Sequence, residues 1–207
     1  MTDSAPSAPS LREELGAPAD PEFALVLPEG WVRRDVSPET EQAMLDAARA
    51  RLMEAHRPDL YGQIRAQLRE SFDAMRRIGA IAHFGPEVGA PDSAYLPASL
   101  IASIRTPQPG VPLAEEMARR IREGATDLHG DRRFVRFERE SDVTLGTDSA
   151  KQTTVVYLTP IPGSRGSRAL QLTAVITRGA EFPADDPALV LMQRLFDGCV
   201  ASLRWER

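Results

Sequence analysis

Three extended stretches in the C-terminal half limit what this chain can fold into more than any other feature. Residues 133–146 carry Val135, Phe137, Val143 and Leu145 at even spacing. Residues 151–159 carry Val155 and Tyr157, with Val156 and Leu158 as neighbours. Residues 168–178 set Leu170, Leu172, Ala174 and Ile176 on one face, against Gln171, Thr173 and Thr177 on the other. A two-residue period marks strands, and the short polar links predict an antiparallel meander. Such a sheet has an apolar face that helices must cover.

The covering helices are legible from their starts. Ser37-Pro38 reads as N-cap and first helical residue, opening a helix to about Ala55 with Met44, Ala48, Leu52 and Ala55 on one face. Pro58 breaks it and leaves His56 at its end. From Asp59 a second helix places Leu60, Ile64, Leu68, Phe72 and Met75 at near-helical spacing. Together they predict a helical hairpin inserted at about 38–77. Pro112 starts a third helix with Leu113, Met117 and Ile121 as its apolar face. Asp186-Pro187 opens a last one lined by Leu189, Met192, Phe196, Cys199 and Leu203. Residues 78–84 and 98–106 read as further strands, joined by a Gly- and Pro-rich loop over 85–97.

At the front, Phe23, Leu25 and Leu27 alternate, Leu27-Pro28-Glu29-Gly30 fits a type I turn, and Trp31 begins the next extended piece. That reads as the first hairpin of the sheet, with Trp31 sealing one end of the core. Residues 1–20, rich in Ala, Pro and Ser, read as a disordered tail. Residues 21–207 then form a single α+β domain. The expected architecture is one α/β/α sandwich whose mainly antiparallel sheet has about six to seven strands.

Composition narrows the function classes. The net charge is −5. Residues 1–22 hold −4 of it, five acids against Arg12, which leaves the rest at −1. Such a balance gives no field for nucleic acid. No apolar run approaches the roughly 20 residues of a membrane span. The N-terminus lacks the features of a secretory signal, so the location expected is cytoplasmic. Cys199 is the single cysteine, which rules out an intramolecular disulfide and a cysteine-based zinc site. Lys151 is the only lysine among 25 basic residues, an arginine bias typical of GC-rich genomes.

"LPEGW" near the start, an antiparallel meander, and a final helix ending "FDGCVASLRW" resemble the PsbP-like group of α/β/α sandwiches, which includes the bacterial DcrB-like lipoproteins. The matching residues are Phe23, Leu25, Pro28, Gly30 and Trp31 at the front, and Val200, Ser202, Leu203 and Trp205 at the back. Trp31 and Trp205 are its structural signature. The chain departs from that pattern in lacking a lipid-attachment cysteine near its start and in carrying the helical hairpin. The resemblance implies a non-catalytic role, a protein-interaction or accessory module with a protein partner. It transfers no functional residue.

The chemistry-bearing residues are few. His83 sits in an apolar strand, where a buried structural histidine is the ordinary reading. His129 lies in "DLHGDRR" beside Asp127 and Asp131, where a histidine among carboxylates can act as a base or metal ligand. A surface turn accounts for the same residues. His83, His129 and Asp131 are therefore the candidate site for the alternative, a small-molecule binder or enzyme with a pocket between sheet and helices. No nucleophile elbow, zinc-protease, P-loop or dinucleotide motif occurs. "GSRG" at 163–166 reads as a hairpin turn. No cofactor is expected, and a homo-oligomer stays open.

Overall fold

The computed structural model describes residues 20–87, 97–108, 111–145 and 148–206. The expected tail therefore lies almost wholly outside the described residues, as does most of the expected 85–97 loop. The meander forms as its alternation requires. Strands β6 (Asp131–Leu145), β7 (Asp148–Pro160) and β8 (Ala169–Gly179) pair antiparallel in succession. Strands β2 (Trp31–Arg34), β3 (Ala80–Pro86) and β4 (Ala98–Arg105) extend the sheet beyond β8, and β5 (Thr126–Leu128) closes the far edge. The seven strands run in the order β2-β3-β4-β8-β7-β6-β5, every neighbour antiparallel.

Helices cover both faces, giving an α/β/α sandwich. Helix α4 (Pro187–Ala201) lies on the face formed by Ala82, Phe84, Leu100, Val155, Tyr157 and the even residues Leu170 to Ile176 of β8. Its Leu189, Phe196 and Val200 are almost fully buried there, each worth roughly 1.5–3 kcal/mol. On the opposite face, α3 (Leu113–Arg122) sets Met117 over Ala125, Val135, Val156 and Leu158. The hairpin of α1 (Pro38–Glu54) and α2 (Tyr61–Arg77) sits at the other end of that face. There Phe72 and Met75 of α2 pack on Ala80 and Ile101. The hairpin thus grips the sheet by its base, and the turn around His56 is exposed.

The cap of α1 is as the sequence predicts. Ser37 Oγ accepts from Thr40 N at 3.1 Å, with Pro38 at the first helical position. Ser37→Ala should lower stability by about 1 kcal/mol in chemical denaturation, and an unchanged midpoint would deny the cap that role.

Several expectations need correcting. The first hairpin does not form. Strand β1 (Phe23–Ala24) pairs instead with β9 (Arg204–Trp205), Phe23 opposite Trp205, and β2 pairs with β3. The alternation of Phe23, Leu25 and Leu27 is real, but it serves the main core. Phe23 sits edge-on to Trp205 at 6.2 Å, and Val26 N donates to Ser202 Oγ at 2.8 Å, so the segment follows the chain's C-terminal end. The turn also falls one residue later. Trp31 N donates to Pro28 O at 3.1 Å, and Gly30 takes the left-handed φ of 73° at the third position. That conformation favours glycine and belongs to a type II turn.

Two helix faces are rotated from expectation. In α3 the residues turned inward are Leu113, Glu116 and Met117, while Ile121 is 55% exposed. Spacings of four drift by about 40° per step on a 3.6-residue helix, so the face through 113, 117 and 121 slides off the sheet. In α1 the buried residue is Leu45, with Met44 half-buried beside it. Strand β5 stands where a helix-to-strand turn was expected, and β9 follows the last helix, where no further strand was expected.

Candidate functional site

Three of the chain's polar groups meet at one buried carboxylate. Asp197 lies on the inward face of α4, between Phe196 and Val200, and is 4% exposed. Its Oδ1 accepts from Tyr157 Oη at 2.6 Å and from Arg136 Nε at 3.0 Å. Its Oδ2 is 2.7 Å from His129 Nε2. An ionised carboxylate only accepts, so the hydrogen of that last contact belongs to Nε2. Burial first, and then the bond to Asp197, pushes the Tyr157 phenol well above its ordinary pKa, which keeps it a donor.

The position of His129 follows from local turn chemistry. His129 and Gly130 have φ of 51° and 91° and join β5 to β6, with Leu128 opposite Asp131. Two successive positive φ values make a type I′ hairpin, for which glycine at the second position is suited. Asp127 caps the turn by accepting from Gly130 N at 2.9 Å. Asp131 gives its carboxylate to Arg133, with contacts of 2.6–3.0 Å that hold its pKa below the usual range. Arg133 also donates to Ala201 O at 3.0 Å. The hairpin tip is thus tied twice to the end of α4.

His83 is far from this cluster. It lies on β3, four to five strands from the β5–β6 turn, which at 4.7–4.9 Å per strand is roughly 20 Å. Its ring sits over Gly85, and its Nδ1 is buried without a partner. Burial, with the Arg34 charge second, lowers its pKa to about 4. The structure therefore brings His129 to Asp197 and leaves His83 and Asp131 elsewhere. Among the described residues, no three His, Cys, Asp or Glu side chains group to hold a metal ion. Cys199 is buried in the core, and burial raises its thiol pKa.

A broad concavity among the described residues lies at neither histidine. At one end of the sandwich, where β2, β4 and β7 finish and β3 and β8 begin, an open cleft of about 1770 Å³ runs from Phe23 and Trp205 to α1. Ile104, Ile161 and Leu170 line it from the strand ends, and Ala43, Met44 and Ala47 from α1. Ile81, 42% exposed, adds apolar surface at the β3 bulge. The charged groups along it are Arg33 and Arg34 against Asp20, Glu22, Asp35 and Glu39. A second pocket of about 360 Å³ lies between the end of β4 and α3, around Arg105 and the buried Glu116 that pairs with it at 2.9 Å. His83, His129 and Asp131 line neither.

Sequence reading missed Asp197 and the cleft. Asp197 carried a signal, since an acid on the stripe of Leu189, Phe196 and Val200 must be partnered when buried. The cleft carried none, because its walls come from segments that are distant in sequence.

The fold these elements define is an antiparallel α/β/α sandwich. No family model matches the chain, and no curated protein matches it. Among solved structures it is similar to a protein from Bacteroides thetaiotaomicron VPI-5482, at TM-score 0.41 and 9% identity over 89% of this chain. The chain spans 45% of that protein's length. It is also similar to the Ran-binding protein Mog1p of Saccharomyces cerevisiae, at TM-score 0.33 and 12% identity, covering 60% of this chain and 78% of that one. These are likenesses of a sheet-and-helix fold. Among the described residues no helix is long and apolar enough to cross a membrane.

Proposed function

We propose that residues 21–207 act as one non-catalytic interaction module, and that the end cleft is where a segment of a protein partner docks. The observation that carries this is the size and lining of the cleft. Small-molecule sites occupy about 300–1,000 Å³ and enclose their ligand. This one is larger, open, and walled by exposed apolar groups such as Ile81 and Ala43. Apolar surface in an open groove with a charged rim suits a peptide segment. The resemblance to PsbP-like sandwiches, through Pro28, Gly30, Trp31 and Trp205, accords with a binding role. So does the Asp197 cluster, whose three donors are spent on holding α4 to β6 and β7.

Ala43 is exposed on α1 and lines the cleft. Arginine suits a helix nearly as well as alanine, so Ala43→Arg fills the groove without unfolding α1. Binders selected from a displayed peptide library should lose about ten-fold or more in affinity for this variant, roughly 1.4 kcal/mol. Leu191→Ser, on the exposed face of α4, should leave them unchanged. Selected binders that ignore Ala43→Arg would remove the cleft from consideration.

A further inference from the structure

We infer that the cleft selects a cationic amphipathic segment, one presenting apolar anchors flanked by Lys or Arg; this rests on the docking reading above. The cleft's own cations are already committed. Arg33 donates to Phe23 O at 3.0 Å and lies over the Phe23 ring at 4.7 Å. Arg34 donates to Pro86 O at 2.9 Å and Gly85 O at 3.4 Å.

Its anions are much less committed. Glu39 is exposed and has no partner among the described residues. Glu22 has a side chain 73% exposed, and its one ion pair, to Arg33, is stretched to 3.7 Å. Asp35 accepts only from hydroxyls and an amide, those of Thr40 and Ser37, which lower its pKa and leave its charge unneutralised. Asp20 is matched closely, by Arg168. Among the described residues Glu39 and Asp35 have no ion pair and Glu22 only the stretched one to Arg33, so the cleft's carboxylates outnumber its cations, and with the apolar floor this is complementary to lysine or arginine beside leucine-like side chains. The chain's own first 19 residues are poor occupants, because Asp3, Glu13 and Glu14 against Arg12 give them a net −2. A cationic segment of another protein is the occupant that the cleft's charges favour.

The test uses two labelled 12-residue amphipathic probes that share their leucines, one carrying lysine and the other glutamate at the polar positions. Fluorescence anisotropy with the full chain should show the lysine probe binding at least ten-fold tighter, with affinity falling as salt rises. Glu22→Gln with Glu39→Gln should weaken it about three- to ten-fold. The control pair Glu70→Gln with Glu115→Gln, also exposed but outside the cleft, should not. Equal losses in both pairs would mean that the protein's overall charge attracts the probe, and would overturn the inference. So would preference for the glutamate probe. If that preference is abolished by Ala43→Arg, the cleft still docks segments and only its charge selection is wrong. If Ala43→Arg affects neither probe, the docking reading itself falls.

Discussion

Replacing Asp197 with alanine is expected to cost about 3–5 kcal/mol of unfolding free energy, read from urea denaturation. The side chain is 6% exposed and neutralises Arg136, whose own side chain is 17% exposed. Its loss leaves the Arg136 guanidinium with only the half-exposed Glu138, at 3.2 Å, and strands the hydroxyl of Tyr157, a residue with no exposed surface. Each buried group left without a partner then bears its full desolvation cost. Tyr157→Phe should be milder, about 1–1.5 kcal/mol, because the carboxylate keeps two donors. His129→Ala should be milder still, under about 1 kcal/mol, since that imidazole is 71% exposed and its tie is screened. Combining Asp197→Ala with Tyr157→Phe should cost less than the two separately, as contacting groups couple. A soluble, near-wild-type Asp197→Ala protein would mean that α4 is held by its apolar stripe alone.

That ordering shows why the fold was legible and the cluster was not. The meander declares itself because Leu170, Leu172, Ala174 and Ile176 obey a period imposed by the pleat, and nothing distant can alter it. The starts of α1 and α4 are equally local, since Ser37 and Asp186 each cap an amide within three residues. Pairing is a different matter. Phe23 meets Trp205 across 182 positions, and no property of residues 21–35 distinguishes that partner from a hairpin. Helix faces fall between the two. The apolar spacing in α3 was real, but its four-residue steps drift off the sheet, and the inward face is shared with Glu116, which pairs with Arg105 of β4. His129 shows the same limit at the candidate site. Its turn could be read from His129-Gly130, whereas the carboxylate it meets lies 68 residues away in a helix that otherwise reads as core. Asp127 and Asp131, the acids nearest in sequence, are occupied by Gly130 and Arg133.

His83 gives the second large effect, and its sign is fixed by burial. In the unfolded chain the imidazole titrates near its ordinary value of 6.5, while in the folded protein that value falls to about 4. The unfolded state therefore binds the extra proton first, and acid favours unfolding through this group. Its contribution is fully present above about pH 6.5, is lost progressively as the pH falls, and is gone by about pH 4. A displacement of this size corresponds to about 2–3 kcal/mol, the lower figure allowing for water that reaches the half-buried ring. Arg34, on the neighbouring strand, adds to the effect by disfavouring a second positive charge beside it. Carboxylates titrate over part of the same range, so the measurement is a difference between two proteins. Urea unfolding of the wild type and of His83→Leu, from pH 7.5 to 4, should show the wild type losing stability more steeply toward acid, so that the difference between the two shifts by about 2–3 kcal/mol in favour of the variant. Parallel curves would mean that His83 is protonated as readily in the folded chain as in the unfolded one, and that its enclosed Nδ1 finds a partner in solution.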